Sequence, residues 1–342
     1  MKILIIGLGS IGQRHLRNIK KLNIKCQIYA IRKKNITPLL NNNNKPLKGD
    51  IKNKYSIIFL KNLDELIKKQ IKLDCAFVCT PSSLHIPQVI WLLKNNINSF
   101  VEKPLGSSLK KIKELELLLK KKNKIITMVG YQLRFNPIIK YLKNILQKKY
   151  YIGNLLSVHI HHGEHIKDFH PYEDYRISYA ANKKLGGGVI LTQIHEIDYL
   201  LHLFKDYQFK KIQSISTKVS NLDIDVEDVL SANFLLKRNQ HKILCSMHLN
   251  FYERPKRRKI YLIGEKGSIK ACLNTQKITI FKKNNKIIKK FKFKKNDIFM
   301  KELNFFISKI KSKDKITNEL NLFNGIKTLR FAINLKNSLF IR

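Results

Sequence analysis

The predicted fold class is α/β. A doubly wound parallel sheet is expected over residues 1–130, followed by an α+β domain over residues 131–342 with a large, mainly antiparallel sheet. Three observations predict it. Apolar runs alternate with helical patterns up to about residue 130. A glycine-rich turn follows the first apolar run. Strand-like runs then recur at short intervals between residues 211 and 293, the pattern of an antiparallel sheet.

In order, Ile3 to Ile6 read as a buried strand, Gly7-Leu8-Gly9-Ser10-Ile11-Gly12 as a turn, and Ile11, His15, Leu16 and Ile19 as one side of a helix. A second strand covers 27–31. Residues 41–54, polar and opening with four asparagines, read as a surface loop. Then come a short helix over 64–70, an apolar strand over 73–79 ending at Thr80-Pro81, and a helix over 84–94. A strand over 99–102 ends in Glu102-Lys103-Pro104, and a helix over 109–121 and a strand over 125–129 follow. Beyond Tyr131 the pattern changes: a helix over 137–148, a strand over 155–161, and the glycines Gly186, Gly187 and Gly188 ahead of an apolar helix over 189–204. Helices over 299–310 and 320–339 follow the antiparallel runs, and no internal repeat is present.

A glycine pattern of this spacing, between a strand and a helix, is the dinucleotide-binding fingerprint of a Rossmann domain. Gly7 allows the tight turn, Gly9 lets the backbone approach a pyrophosphate, and Gly12 lets the helix pack close to the strand. The helix N-terminus then offers free N–H groups and a partial positive charge to phosphates. The acidic residue that grips an adenosine ribose belongs about 20 residues on, at the end of the second strand. Arg32, Lys33 and Lys34 stand there instead. Cations suit a 2′-phosphate, so NADP is favoured over NAD. In open doubly wound sheets ligands bind beyond the carboxyl ends of the strands. The Gly7 turn, Thr80-Pro81 and Glu102-Lys103-Pro104 all fall there and are expected to converge on one crevice.

Composition narrows the class. The length of 342 residues suits two domains with separate cores. No apolar run of about 18 residues exists, so no membrane span is expected, and the N-terminus reads as a strand rather than a signal peptide. Five cysteines are an odd number with no metal-site spacing, and Cys75 and Cys79 lie too far apart along one strand to bridge; a reducing cytoplasm fits. The formal charge of +43 invites a nucleic-acid reading. Against it, 56 of the 67 basic residues are Lys, scattered along the chain among many Asn and Ile, as AT-rich coding produces. The field still attracts anionic cofactors and substrates. His159, His161, His162, His165 and His170 look like a metal cluster, but their spacing matches no standard zinc site, and no metal is expected.

Four motifs, GLGSIGQRH, CTPSSLH, VEKP and GGGVILTQIHEID, in this order and spacing resemble the glucose–fructose oxidoreductase, inositol dehydrogenase and rhizopine-catabolism (Gfo/Idh/MocA) family over essentially the whole chain. The stretch FHPYEDYRISYAANKKLGGG further resembles a subgroup linked to surface-polysaccharide and sialic-acid-like sugar synthesis. The resemblance implies an NAD(P)-dependent oxidoreductase moving hydride between nicotinamide and a carbinol carbon of a sugar, polyol or nucleotide sugar. It implies catalytic roles for Lys103 and His195. A lysine beside the reacting carbon hydrogen-bonds the substrate hydroxyl and helps remove its proton. Pro104 restricts Lys103 to extended backbone and aims it; Glu102 orients the site. His195 serves as general acid or base, buttressed by Asp198 three residues on. The implied coenzyme contacts are Gly7, Gly9, Ser10, Ile11, Gly12, Arg32, Lys33, Thr80, Pro81, His85, Glu102 and Lys103. The implied substrate contacts are Lys103, Arg134, Tyr175, Arg176, Thr192, Gln193 and His195, with Glu173 and Tyr179 as further candidates. For Arg134, in the segment crossing between domains, an interdomain salt bridge is an equal reading. Tyr175 and Arg176 equally cap and pack a helix.

The chain departs from the family pattern before the histidine. Many members carry an Asp there; this chain has Leu191, Thr192 and Gln193, and the glycine-to-histidine spacing is one residue short. Thr192 and Gln193 hydrogen-bond a sugar but take no proton at neutral pH, which puts more weight on Lys103 and His195. The alternative is a non-catalytic nicotinamide-nucleotide-binding sensor or scaffold. The expected partners are a small sugar or nucleotide sugar and a second copy of the chain, as homodimer or homotetramer, without membrane or specific nucleic acid.

Overall fold

The computed structural model describes residues 1–32, 38–148, 151–170, 172–316 and 320–337. β1 (Lys2–Ile6) offers no polar side chain between Ile3 and Ile6, and it lies buried inside a six-stranded sheet. α1 (Ser10–Lys21) carries the chain back to β2 (Gln27–Ile31), which lies parallel beside β1. α2 (Ile51–Tyr55), β3 (Ile57–Leu60) and α3 (Asp64–Lys68) complete that flank. β4 (Cys75–Val78), α4 (His85–Lys94), β5 (Asn98–Glu102), α5 (Ile112–Lys121) and β6 (Thr127–Gly130) build the other. The order β3-β2-β1-β4-β5-β6 is parallel throughout. It reverses direction between β1 and β4, so the loops there part and leave a crevice above their carboxyl ends. α2 lies partly within the expected polar loop, started by the Asp50 side chain accepting from Asn53 N at 3.0 Å.

α6 (Pro137–Leu146) starts on the capping side chain of Asn136, with Pro137 at its first turn. The second sheet contains β7 (Leu155–Gly163), β8 (Gln208–Thr217), β9 (Val229–Arg238), β10 (His241–Asn250), β11 (Arg257–Gly264), β12 (Gly267–Cys272), β13 (Lys277–Lys282) and β14 (Asn285–Lys290). Its order is β14-β13-β12-β11-β7-β10-β9-β8. Every neighbouring pair is antiparallel except β7 with β10, because β7 enters between two strands that come much later in the chain. Val158, Ile160 and His162 of β7 face inward; Ser157, His159 and His161 alternate outward.

The helix expected over 189–204 is two: α7 (Val189–Thr192) and α8 (His195–Leu203). The break falls at Gln193, whose side-chain amide donates to Asn250 O at 2.9 Å on β10.

α9 (Lys295–Ser312) and α10 (Leu322–Asn337) return to the first sheet. Phe306 of α9 packs edge-on against Phe77 and Phe100, at centroid distances of 5.5 and 5.6 Å. Val129 of β6 donates its amide to Leu320 O at 3.0 Å. One turn before Phe306 lies Glu302, fully buried, with neither carboxyl oxygen hydrogen-bonded. Burial, with Glu102 and Asp198 nearby, pushes this carboxyl well above the ordinary range, so it is held as a neutral acid. The folded state thus keeps a proton that the unfolded chain releases above pH 4.5, and the group's contribution to stability falls as pH rises. Glu302→Gln, which never ionises, is expected to raise the melting temperature, with a larger gain at pH 8 than at pH 5. Thermal unfolding by circular dichroism at both values checks this; no gain at pH 8 refutes it.

Candidate active site

The glycine turn is built by close packing. A Cβ at Gly7, where φ is +95°, would sit 2.7 Å from Cys79 O, and one at Gly12 would sit 2.0 Å from Gly7 O. Side chains are excluded at both positions by the chain's own backbone. Gly9 differs: nothing lies within 4 Å of a Cβ built there. Its bare backbone faces open space at the start of α1, beside Ser10 and Ile11. The N-terminus of α1 has no side-chain cap and no acid in its first turn. An anionic pyrophosphate fits this cradle.

Glu102 ends β5 as a buried carboxylate directed back into the fold. Its Oε1 lies 2.7 Å from His15 Nε2 on α1, and its Oε2 accepts from Lys103 N at 3.2 Å. The clamp fixes the strand end from which Lys103 projects. The Lys103–Pro104 peptide is cis. Lys103 Nζ crosses to the second domain and donates to Thr192 O at 2.8 Å. Its partner is a main-chain carbonyl.

His195 opens α8 beside this contact. It is 5% exposed, and neither ring nitrogen has a hydrogen-bond partner. Burial pulls the imidazole well below its ordinary range, and Lys103 and Arg258 push the same way. It is therefore neutral at pH 7, with one ring nitrogen free to accept. Thr192 Oγ1 and Gln193 Oε1 are also buried without partners. Buried polar atoms are rarely left bare, and these come from three residues within four positions of one another.

Several expected contacts are placed differently. Asp198 does not buttress His195: Arg134 holds it, through Nε to Oδ2 at 2.9 Å and Nη2 to Oδ1 at 2.6 Å, both side chains being buried. The guanidinium matches the carboxylate as a two-pronged fork, which agrees with the salt-bridge reading of Arg134 and bridges the 131–137 crossing and α8. His85 does not face the crevice either. Its Nδ1 lies 2.7 Å from Pro104 O and its Nε2 2.7 Å from Thr80 O, so it ties two strand-end loops together. Tyr175 accepts from Asp223 N at 3.1 Å. Arg176 is exposed and pairs with Asp174, which caps the same short turn. Arg176 is thus engaged by the turn-capping Asp two residues before it, and Tyr175 by backbone 48 residues on. Thr80 donates to Gln88 Oε1 at 2.7 Å, with Pro81 half-buried beside it at the crevice edge. Arg32 stacks over Phe59, 4.6 Å from its centroid, at the end of β2. Lys33 lies outside the described residues.

The five histidines disperse. His159 meets Ser246 at 2.6 Å and His161 meets Glu253 at 2.5 Å. His165 caps a short turn, and His170 reaches Ser10. His162 turns inward, 3.1 Å from Glu196 Oε1, which also accepts from Arg258 Nε at 2.6 Å. The sequence hides this Glu196–His162–Arg258 cluster. Arg258 stands in a run of basic residues that reads as solvated surface, and only the adjacency of Glu196 to His195 hinted at it. Charges from His162 and Arg258 overcome burial and hold the Glu196 carboxyl well below its ordinary range.

Comparison with known proteins gives a consistent picture. A family model described as an oxidoreductase family with an NAD-binding Rossmann fold (Gfo/Idh/MocA) matches residues 1–131, and the model of the Gfo/Idh/MocA C-terminal domain matches residues 139–270. The 2,7-anhydro-N-acetylneuraminate hydratase of Escherichia coli (strain K12) is 29% identical over 146 residues, 43% of this chain and 37% of that protein. The match thus spans well under half of that relative's length. The structure of myo-inositol 2-dehydrogenase from Lactobacillus plantarum superimposes with a TM-score of 0.76 at 18% identity, covering 99% of this chain and 96% of that one. That of scyllo-inositol dehydrogenase from Lactobacillus casei, with bound NAD(H) and scyllo-inositol, gives 0.73 at 18%, with the same coverage. These likenesses show a shared fold.

Arg134→Ala removes the two-pronged partner of the buried Asp198 carboxylate. A loss of about 3 kcal/mol is expected for breaking such a pair. Urea denaturation measures it; a loss under about 1 kcal/mol shows the pair to be dispensable.

Proposed function

The chain belongs to the Gfo/Idh/MocA oxidoreductase family, and from that premise we propose that it is an NAD(P)-dependent dehydrogenase or reductase acting on a CH–OH group of a sugar, polyol or nucleotide sugar. One observation carries the proposal. A neutral, buried histidine with two unpartnered ring nitrogens stands beside a lysine delivered from the end of β5. A proton acceptor beside a cationic donor suits carbinol chemistry. This favours turnover over a sensor or scaffold.

The nicotinamide, when bound, supplies the hydride acceptor or donor. The Lys103 ammonium donates to the substrate oxygen and stabilises negative charge developing there. His195, neutral because it is buried, accepts the hydroxyl proton. Thr192 Oγ1 and Gln193 Oε1 hydrogen-bond neighbouring hydroxyls, and His15 fixes the Glu102–Lys103 strand end. No carboxylate from the segment before His195 takes part, since Thr192 occupies that place.

Arg32 at the end of β2 favours a 2′-phosphate, so NADP is the expected coenzyme. The outward face of the second sheet carries exposed Ile215 and Leu244 and supports association of copies into a homodimer or homotetramer. No helix among the described residues is long and apolar enough to cross a membrane; five free cysteines fit a cytoplasmic setting.

Lys103→Ala is expected to lower kcat/KM by roughly 10²–10⁴ on the productive sugar, polyol or nucleotide sugar. Since one relative is named a hydratase, the substrate panel is read by mass spectrometry as well as by NAD(P)H absorbance. Retained activity removes Lys103 from the mechanism. In the oxidation direction kcat/KM should stay level as pH falls through 6.5, because the His195 base is protonated only well below that value; an acid limb at 6.5 or higher counts against it. Isothermal titration is expected to give a lower Kd for NADPH than for NADH, and a clear NADH preference overturns the assignment to Arg32.

A further inference from the structure

The described residues between His165 and Gly188 form a strap of short turns with no α-helix. One end is pinned to the second sheet: Ile166 donates to Phe251 O at 2.9 Å, and the Phe169 ring meets Phe251 edge-on at 5.5 Å. The other end is pinned to the first domain, where Ser82 Oγ donates to Gly186 O at 3.0 Å. Between the anchors the strap touches the glycine turn. His170 Nε2 lies 3.4 Å from Ser10 Oγ, and the Tyr172 hydroxyl lies near Ser10 as well. The His170 and Tyr172 rings lie 5.5 Å apart, and His170 Nδ1 is 2.8 Å from Glu173 Oε1.

Ser10 is the first residue of α1, beside the open backbone at Gly9. Groups bonded to its hydroxyl lie within reach of an anion seated on that helix end. Among the described residues of α1, the cations are turned away from the turn. Arg14 is directed to Asn296, at 3.2 Å, and over the Phe299 ring. Arg17 donates to Leu40 O at 2.9 Å, and His15 is engaged by Glu102. Beside the α1 backbone N–H groups and Ser10, the side chains that reach the turn from the second domain are His170 and Tyr172.

We propose that His170 and Tyr172 complete the pyrophosphate site of the coenzyme, so that the second domain holds the dinucleotide together with the glycine turn. This rests on the coenzyme assignment made above. Tyr172 contributes an O–H donor, and His170, with Glu173 Oε1 2.8 Å from its other nitrogen, contributes a ring N–H donor. In the free protein both side chains lie against the Ser10 hydroxyl; the proposal turns them, as donors, to phosphate oxygens.

The test compares ligands with and without a pyrophosphate, by isothermal titration on the full chain, using Tyr172→Phe and His170→Asn. Each variant is expected to weaken both ADP-ribose and NADPH about tenfold, the loss of one hydrogen bond to a charged group, while AMP binds as to the wild type. Melting temperatures show that both variants fold. Unchanged ADP-ribose affinity in both variants overturns the proposal, and so does an equal loss for AMP and ADP-ribose, which marks a structural role. If the wild type binds no ADP-ribose, the coenzyme assignment fails and the proposal falls with it.

Discussion

The hydrogen bond from Lys103 Nζ to Thr192 O joins the two domains at the point where chemistry is expected, and the rest of the crevice is arranged to make it possible. His15 and Glu102 stop the end of β5 from moving. The Arg134–Asp198 fork fixes α8 against the crossing segment, so His195 stands in a set position. His85 ties the Thr80 loop to the Pro104 carbonyl. In these contacts polar groups around the site are held by one another, while both His195 ring nitrogens, Thr192 Oγ1 and Gln193 Oε1 are bare. A carbonyl partner for Lys103 is part of that arrangement. It orients the ammonium without neutralising it, as a carboxylate would.

Much of this was legible in the sequence because it follows from short-range physics. Short apolar runs bounded by turn residues suit buried strands, and a glycine at each of positions 7 and 12 is required by backbone packed 2–3 Å from any Cβ. The mainly antiparallel character of the second sheet followed from its closely spaced runs. Its one parallel pair, β7 with β10, did not, since nothing local says where an earlier strand will enter a later sheet. The expected helix over 189–204 failed at Gln193 for a similar reason: its amide finds a partner on β10, and a tertiary hydrogen bond overrides a continuous helical pattern.

Lys103 and His195, expected from the motifs, lie near one another in the fold, Lys103 bonding the carbonyl of Thr192 three residues before His195. The partners of Asp198, Arg134, His85 and Arg176 were not readable. A side chain's charge tells what it needs; which of several available groups meets that need depends on distances that only the folded chain sets. Glu302 is the sharpest case. An acid on an amphipathic helix reads as solvent-facing, and here it faces the interior because Phe306, one turn on, must reach Phe77 and Phe100.

The return of α9 to the first sheet bears on how the protein is made. Residues 1–130 carry all six strands of that sheet, yet the aromatic face formed by Phe77 and Phe100 is closed by a residue synthesised much later. While the ribosome is still adding the intervening part, that greasy surface has no native cover. Such an intermediate is sticky, and its burial requires a long loop to close. Biosynthesis of this polypeptide therefore depends on chaperone shelter, or on speed, during the interval before α9 emerges.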